Sequence, residues 1–268
     1  MSVNKIRKRF VGKTILITGG AGNIGLKTAH RFAREGAAIA LLDINRDKLE
    51  IALEELSKYN VLTLSVICDV VDMSSVIQAM KQVIEKLGAI DMLFNNAGYQ
   101  GEFQPVQSYP EDDFKRVLDI NLLGAFNVLK SVSSHMVERR TGVIVNTASM
   151  AGVDGPPNMV AYGASKFALI GMTQTAAKDL APYNIRVNSI SPGYMGPGYM
   201  WDRQVELQAK ASTQYFNNDI KKTAAQMISQ IPMRRYGDID EIPGTVAFLM
   251  SDDSSYITGI NVPIAGGI

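Results

Sequence analysis

Short, nearly unbroken apolar runs alternate along the chain with stretches whose apolar residues recur every three or four positions. The runs Thr14–Thr18, Ala38–Asp43, Thr63–Cys68, Met92–Asn95, Val143–Asn146, Arg186–Ser191 and Asn261–Ile264 read as strands. They are apolar almost throughout rather than in alternation, the pattern of strands covered on both faces. Between them, Ile24–Glu35, Arg46–Lys58, Ser74–Leu87, Glu111–Arg139, Val160–Ala181 and Glu241–Met250 read as helices. This succession predicts βαβ units, a parallel sheet and an α/β fold. Gly193–Pro232, with Trp201, four Tyr or Phe and many polar residues, breaks the rhythm and reads as an irregular insertion, either a lid or an interface element. No Pro/Ser-rich linker, charge block or internal repeat divides the chain. A single domain over residues 1–268 is expected, with the insertion at about 193–232.

Composition narrows the function classes. Among 268 residues, 27 Lys and Arg stand against 26 Asp and Glu, so nothing points to nucleic acid or an acidic membrane. One cysteine, Cys68, excludes an intrachain disulfide and suits a reducing compartment, so a cytoplasmic protein is expected. His30 and His135 are far apart in sequence, and no metal site is expected. No apolar run reaches the ~18 residues of a membrane span. The first ten residues, with Lys5, Arg7, Lys8 and Arg9, read as a solvated basic lead-in, since no apolar targeting segment follows them. A G-x-S-x-G elbow and a P-loop lysine are both missing, which argues against hydrolysis and phosphoryl transfer.

The first predicted strand runs into Gly19-Gly20-Ala21-Gly22-Asn23-Ile24-Gly25 and then a helix. Gly20, Gly22 and Gly25 satisfy G-x-G-x-x-G, a turn that aims a helix N-terminus, with its free N–H groups and positive dipole end, at a pyrophosphate. Asp43 closes the second strand, where a carboxylate can accept both adenosine ribose hydroxyls and repel a 2′-phosphate. Ile44 follows it instead of a basic residue, so NAD rather than NADP is expected. Tyr162 and Lys166, four apart on a helix, share one face, and Ser149 precedes Tyr162 by 13 residues at a strand end. A lysine beside a phenol favours the phenolate, so Lys166 is expected to lower the Tyr162 pKa.

In these motifs the chain resembles the short-chain dehydrogenase/reductase family over nearly its whole length. The resemblance implies a doubly wound Rossmann fold, with a seven-stranded parallel sheet in the order 3-2-1-4-5-6-7. It implies that Thr18-Gly19 through Gly25 binds the cofactor, with Asn96-Ala97-Gly98 in the motif of the fourth strand, Asp69-Val70 at the adenine, and Pro192-Gly193 beside the nicotinamide. The catalytic set it implies is Asn121, Ser149, Tyr162 and Lys166. Tyr162 would be the general base, Ser149 the hydrogen-bond donor to the reacting oxygen, Lys166 the ribose ligand, and Asn121 the anchor of a relay water.

Two departures stand out: Asn23 replaces the family's middle glycine, and no Thr follows Pro192-Gly193, which leaves the Met195 N–H to contact the carboxamide. Three stretches, Phe94–Val106, Pro192–Lys210 and Pro232–Pro243, resemble a bacterial NAD-dependent polyol dehydrogenase. That implies oxidation of a secondary hydroxyl to a ketose. Tyr194 and Trp201 are then candidate substrate contacts beside Ser149 and Tyr162, and Tyr199, Tyr215 and Phe216 are further aromatics for a pocket. The family also implies a homotetramer, with Glu111–Arg139 and Val160–Ala181 at one interface. Two readings stay open beside this one. The first is a reductase of another carbonyl substrate, of the sugar or 3-oxoacyl type. The second is a dinucleotide-binding sensor without turnover.

Overall fold

The computed structural model describes residues 8–268. The chain begins β1 (Thr14–Thr18), α1 (Asn23–Arg34), β2 (Ala38–Asp43), α2 (Arg46–Leu56), β3 (Thr63–Ile67), α3 (Met73–Leu87) and β4 (Met92–Asn95). It continues through α4 (Glu111–Leu118), α5 (Ala125–Arg139), β5 (Gly142–Thr147), α6 (Val160–Leu180) and β6 (Ile185–Pro192). The last part holds β7 (Met195–Gly196), α7 (Tyr199–Lys210), α8 (Ile220–Ser229), β8 (Gly237–Asp238), α9 (Ile242–Met250) and β9 (Asn261–Ile264). Seven strands form one parallel sheet in the order β3-β2-β1-β4-β5-β6-β9, the doubly wound arrangement, with β9 as the seventh strand of the sheet.

The strands are continuously apolar because both faces are covered. Ile15 and Ile17 of β1 pack with Ile39 and Leu41 of β2 against Phe32 of α1 and Val246 of α9. Leu16, Ala40 and Leu42, the residues between them, point the other way, towards Val76 and Met80 of α3 and Val128 and Val132 of α5. Side chains two apart share a face, so each strand feeds two cores.

Of the basic lead-in, residues 1–7 lie outside the described residues. Arg9 corrects the reading of a solvated segment: its Nη2 donates to Glu35 Oε1 at 2.8 Å, and Arg31 also binds this buried carboxylate. Burial alone would raise the Glu35 pKa, but the two guanidinium groups hold it below the usual carboxylate range.

Two further expectations are corrected. Glu111–Arg139 is not one continuous helix, because a π-helical turn over Asp119–Gly124 separates α4 from α5. There the Asn121 side chain turns inward, and Gly124 lies so close to β3–α3 that an added Cβ would stand 2.6 Å from Val70 Cγ2. Such wide turns recur at functional sites. The segment 193–232 is also mostly regular. It holds α7 and α8, and β7 pairs in parallel with β8. Trp201, Val205, Gln208 and Ala209 form the buried stripe of α7, a spacing that its polar neighbours mask in the sequence.

Candidate active site

The order of strands reverses between β1 and β4, and a crevice opens at their C-terminal ends, as doubly wound sheets dictate. Gly19 leaves β1 with φ +60°, and a Cβ on it would lie 3.0 Å from Ala97 Cα. Gly25 is packed still closer, since its Cβ would fall 2.3 Å from the Gly19 carbonyl oxygen. Only glycine permits this approach. Helix α1 starts at Asn23 with Gly22 as its cap and no side chain bonded to its first N–H groups. Those donors are left for an anion. Thr18 Oγ1 accepts from the N–H groups of Asn96 (2.8 Å) and Ala97 (3.0 Å), which holds the β4 end against the turn. At the β2 end, Asp43 accepts from the N–H of Ala21 at 3.2 Å and from that of Asn45 at 3.0 Å.

A cavity of about 770 Å³ runs along these strand ends. Gly19, Gly22, Asn23, Ile24, Asp43 and Ile44 line it, as do Asp69, Val70, Asn96, Ala97 and Gly98. Ser149, Tyr162, Pro192, Gly193, Tyr194 and Met195 line it as well. Gly25, Asn121 and Lys166 do not; they are buried within the structure. An uncapped helix start and a carboxylate at the second strand end fit a dinucleotide in charge and in donor type.

Ser149 lies two residues past the end of β5 and caps the following turn, with its Oγ accepting from the Ala151 N–H at 3.2 Å. Its hydroxyl donates only a long bond, 3.5 Å, to the Pro192 carbonyl oxygen, so it is free to turn to another acceptor. Lys166 lies one helical turn beyond Tyr162 on α6. Its Nζ stands 5.5 Å from the centre of the Tyr162 ring and donates to the Thr147 carbonyl oxygen at 2.7 Å. Asn121 accepts from the Tyr99 N–H at 2.7 Å, and its amide donates to the Tyr99 carbonyl at 2.8 Å and to Ser165 Oγ at 3.0 Å. Ser165 Oγ in turn donates to the Tyr162 carbonyl oxygen at 2.7 Å. Asn121 thus braces both the loop after β4 and the first turns of α6.

The protonation states correct one expectation. Burial pushes the Lys166 ammonium down to about 7. Burial also raises the Tyr162 phenol, and the Ser149 hydroxyl beside it opposes this. Lys166 does not lower the Tyr162 pKa in the ligand-free chain, because its own desolvation leaves it only partly charged near neutral pH.

Trp201 also departs from expectation. It does not line the cavity; it is 8% exposed and packs with Val205, Phe216 and Met227, between the rings of Tyr194 (6.0 Å) and Tyr236 (5.1 Å). Tyr194, Tyr199, Tyr215 and Phe216 do reach the cavity. Sequence reasoning missed Gln100 and Gln208, two buried amides on the cavity wall. Gln100 directly follows the Asn96–Tyr99 run, which was its only signal.

A dinucleotide cradle that ends beside a half-buried Tyr and a buried Lys on one helix face defines an oxidoreductase. The chain belongs to the short-chain dehydrogenase family, whose model matches residues 13–208. Levodione reductase of Leifsonia aquatica is 38% identical over 97% of this chain and 95% of its own length. The 3-oxoacyl-[acyl-carrier-protein] reductase of Thermotoga maritima is 36% identical over 97% of this chain and 99% of its own. Among solved structures, an NAD⁺-bound xylitol dehydrogenase is 63% identical, with a TM-score of 0.96 over 97% of this chain and 100% of that one.

Proposed function

We propose that the protein oxidises a secondary hydroxyl of a polyol to a ketone with NAD, with xylitol giving D-xylulose as the reference reaction. The observation that carries the reading is the 63% identity to an NAD⁺-bound xylitol dehydrogenase across the whole cavity-bearing fold. Gly19, Gly22, Asn23, Ile24 and Gly25 would hold the pyrophosphate, and Asp43 and Ile44 the adenosine ribose. Asp69 and Val70 would meet the adenine, while Asn96, Ala97, Gly98, Lys166, Pro192, Gly193 and the Met195 N–H would hold the nicotinamide half. NAD supplies the hydride acceptor.

Tyr162 removes the hydroxyl proton, and Ser149 donates to the oxygen as it becomes a carbonyl. Lys166 passes the proton onward. The Asn121 Oδ1 and Lys166 Nζ atoms flank the bare face of Gly98, where an added Cβ would lie 3.4 and 3.6 Å from them. In this reading a relay water sits there. Segment 193–232 is the lid, with Tyr194 at the substrate and Trp201 as the anchor of its small core. The family's homotetramer belongs to the same reading, and exposed Phe126 of α5 and Phe167 of α6 offer apolar surface for it. A cytoplasmic site fits the single, buried, free Cys68.

The test is a panel of polyols and secondary alcohols with NAD, read as NADH formation. A second reading, reduction of another carbonyl compound, is favoured by the identities to levodione reductase and the 3-oxoacyl reductase. It wins if NADPH-dependent reduction exceeds polyol oxidation.

A further inference from the structure

The sheet divides the charges on the cavity wall. Asp43, Lys48 and Asp69 line the cavity at and just beyond the ends of β2 and β3, the end assigned above to adenosine. β5 lies three strands from β2, about 14 Å across the sheet. The loop that leaves β5 and the segment 193–232 form the opposite end. There Asp154 is the only charged side chain among the residues that line the cavity. Lys166 lies behind this wall, buried and committed to the Thr147 carbonyl.

Asp154 is carried by a turn that the catalytic residues themselves fix. Ser149 caps its start, and the Asp154 N–H donates to the Met150 carbonyl at 2.9 Å. Gly152 packs so tightly on α6 that an added Cβ would stand 2.5 Å from the Lys166 carbonyl carbon. Asp154 is exposed, and its side chain has neither an ion pair nor a hydrogen bond among the described residues. The other polar side chains of this wall are neutral, among them the amides of Gln204, Gln208 and Gln230 and the hydroxyls of Tyr194, Tyr199 and Tyr215. Neutral donors and acceptors suit hydroxyl groups. A phosphate or carboxylate calls for Arg or Lys donors, and this wall sets an uncompensated negative charge in their place.

We propose that Asp154 is a specificity-determining residue that confines the site to uncharged substrates and turns away their phosphate esters and carboxylic acids. The inference rests on the polyol reading above and deepens it. Xylitol as the reference reaction leaves the phosphate ester open, since the ester keeps the same reacting hydroxyl; the sign of the charge at Asp154 decides between them.

The experiment measures NADH-dependent reduction of D-xylulose and of D-xylulose 5-phosphate, at low and at raised salt, by the wild type, Asp154→Asn and Asp154→Lys. Reduction is chosen because the NADH ring is uncharged, whereas the NAD⁺ ring would itself attract an anion. The wild type should favour D-xylulose by about 100-fold or more in kcat/KM, and salt should narrow the gap. The ratio of phosphate ester to free ketose should climb about 3- to 10-fold with each step of charge, from Asp to Asn to Lys, mainly through KM. A merely structural role for Asp154 would not give this graded order. NADH affinity, read by fluorescence, checks that each variant is folded, and the Asn variant alone gives the answer should Lys disrupt the turn. The same ratio in the wild type and the variants overturns the assignment. A wild type that reduces the two ketoses equally well also overturns it and leaves the polyol reading standing. A wild type that binds NADH and reduces neither ketose overturns the polyol reading itself.

Discussion

Lys166 Nζ donates a hydrogen bond to the Thr147 carbonyl oxygen over 2.7 Å and has no carboxylate partner among the described residues. A single neutral acceptor does not offset the desolvation of an ammonium, which is why burial brings Lys166 down to about 7. In the unfolded chain the same group titrates near 10.4. Between these values the unfolded state binds the extra proton, so stability must rise with pH. The slope from this one group is at most about 1.4 kcal/mol per pH unit. Near pH 9 and above it is opposed by Cys68, Tyr162 and Tyr194, whose burial raises their pKa values. The ligand-free protein should therefore gain thermal stability from pH 7 to 8.5. Lys166→Met should flatten that rise, and denaturation curves of both proteins at several pH values check it. Equal slopes in the two would show that Lys166 is not the group responsible.

Tyr162→Phe should lose turnover by about 100-fold or more, the usual scale for a group that moves a proton. NADH affinity should change little, because the donors for the pyrophosphate and the Asp43 carboxylate are elsewhere in the cavity. Steady-state rates beside a fluorescence titration settle the point. Near-normal turnover in the Phe variant would remove Tyr162 from the chemistry.

Asp43→Ser combined with Ile44→Arg should shift the kcat/KM ratio towards NADP. The exposed Ile44 site leaves room for a guanidinium, whose planar donors suit a phosphate. A serine in place of Asp43 would also lose one of the two bonds that the carboxylate accepts from the Ala21 and Asn45 N–H groups, so a modest fall in stability accompanies the switch. An unchanged cofactor ratio would show that the second-strand acid does not set the preference.

Trp201→Ala should act through the small core of segment 193–232. Removing a buried indole costs about 3–5 kcal/mol where the site cannot collapse. Here the loss falls on the cluster with Val205, Phe216 and Met227. Proteolysis within 193–232 should speed up and KM for the polyol should rise, while NADH affinity holds. The single tryptophan should already emit as a buried indole before substrate is added. Emission typical of an exposed indole in the ligand-free protein would contradict this packing.

Local chemistry made most of the fold readable in advance. Four of the seven strand ranges agree to the residue, because a strand covered on both faces must be apolar at every position. The glycine turn and Asp43 were legible because backbone approach and strand-end position are properties of a few consecutive residues. The order of the strands came from resemblance to a family, since periodicity does not say which strand lies beside which.

What the tertiary structure alone decided depends on neighbours distant in sequence. The π turn at Asn121 exists because Tyr99 and Ser165 draw its amide inward. Trp201 turned from expected lid surface to core because α8 and Tyr236 cover it. The protonation of Tyr162 and Lys166 follows the same rule. Their spacing along α6 puts them on one face, but it is desolvation by the surrounding fold that pushes the phenol pKa up and the ammonium pKa down.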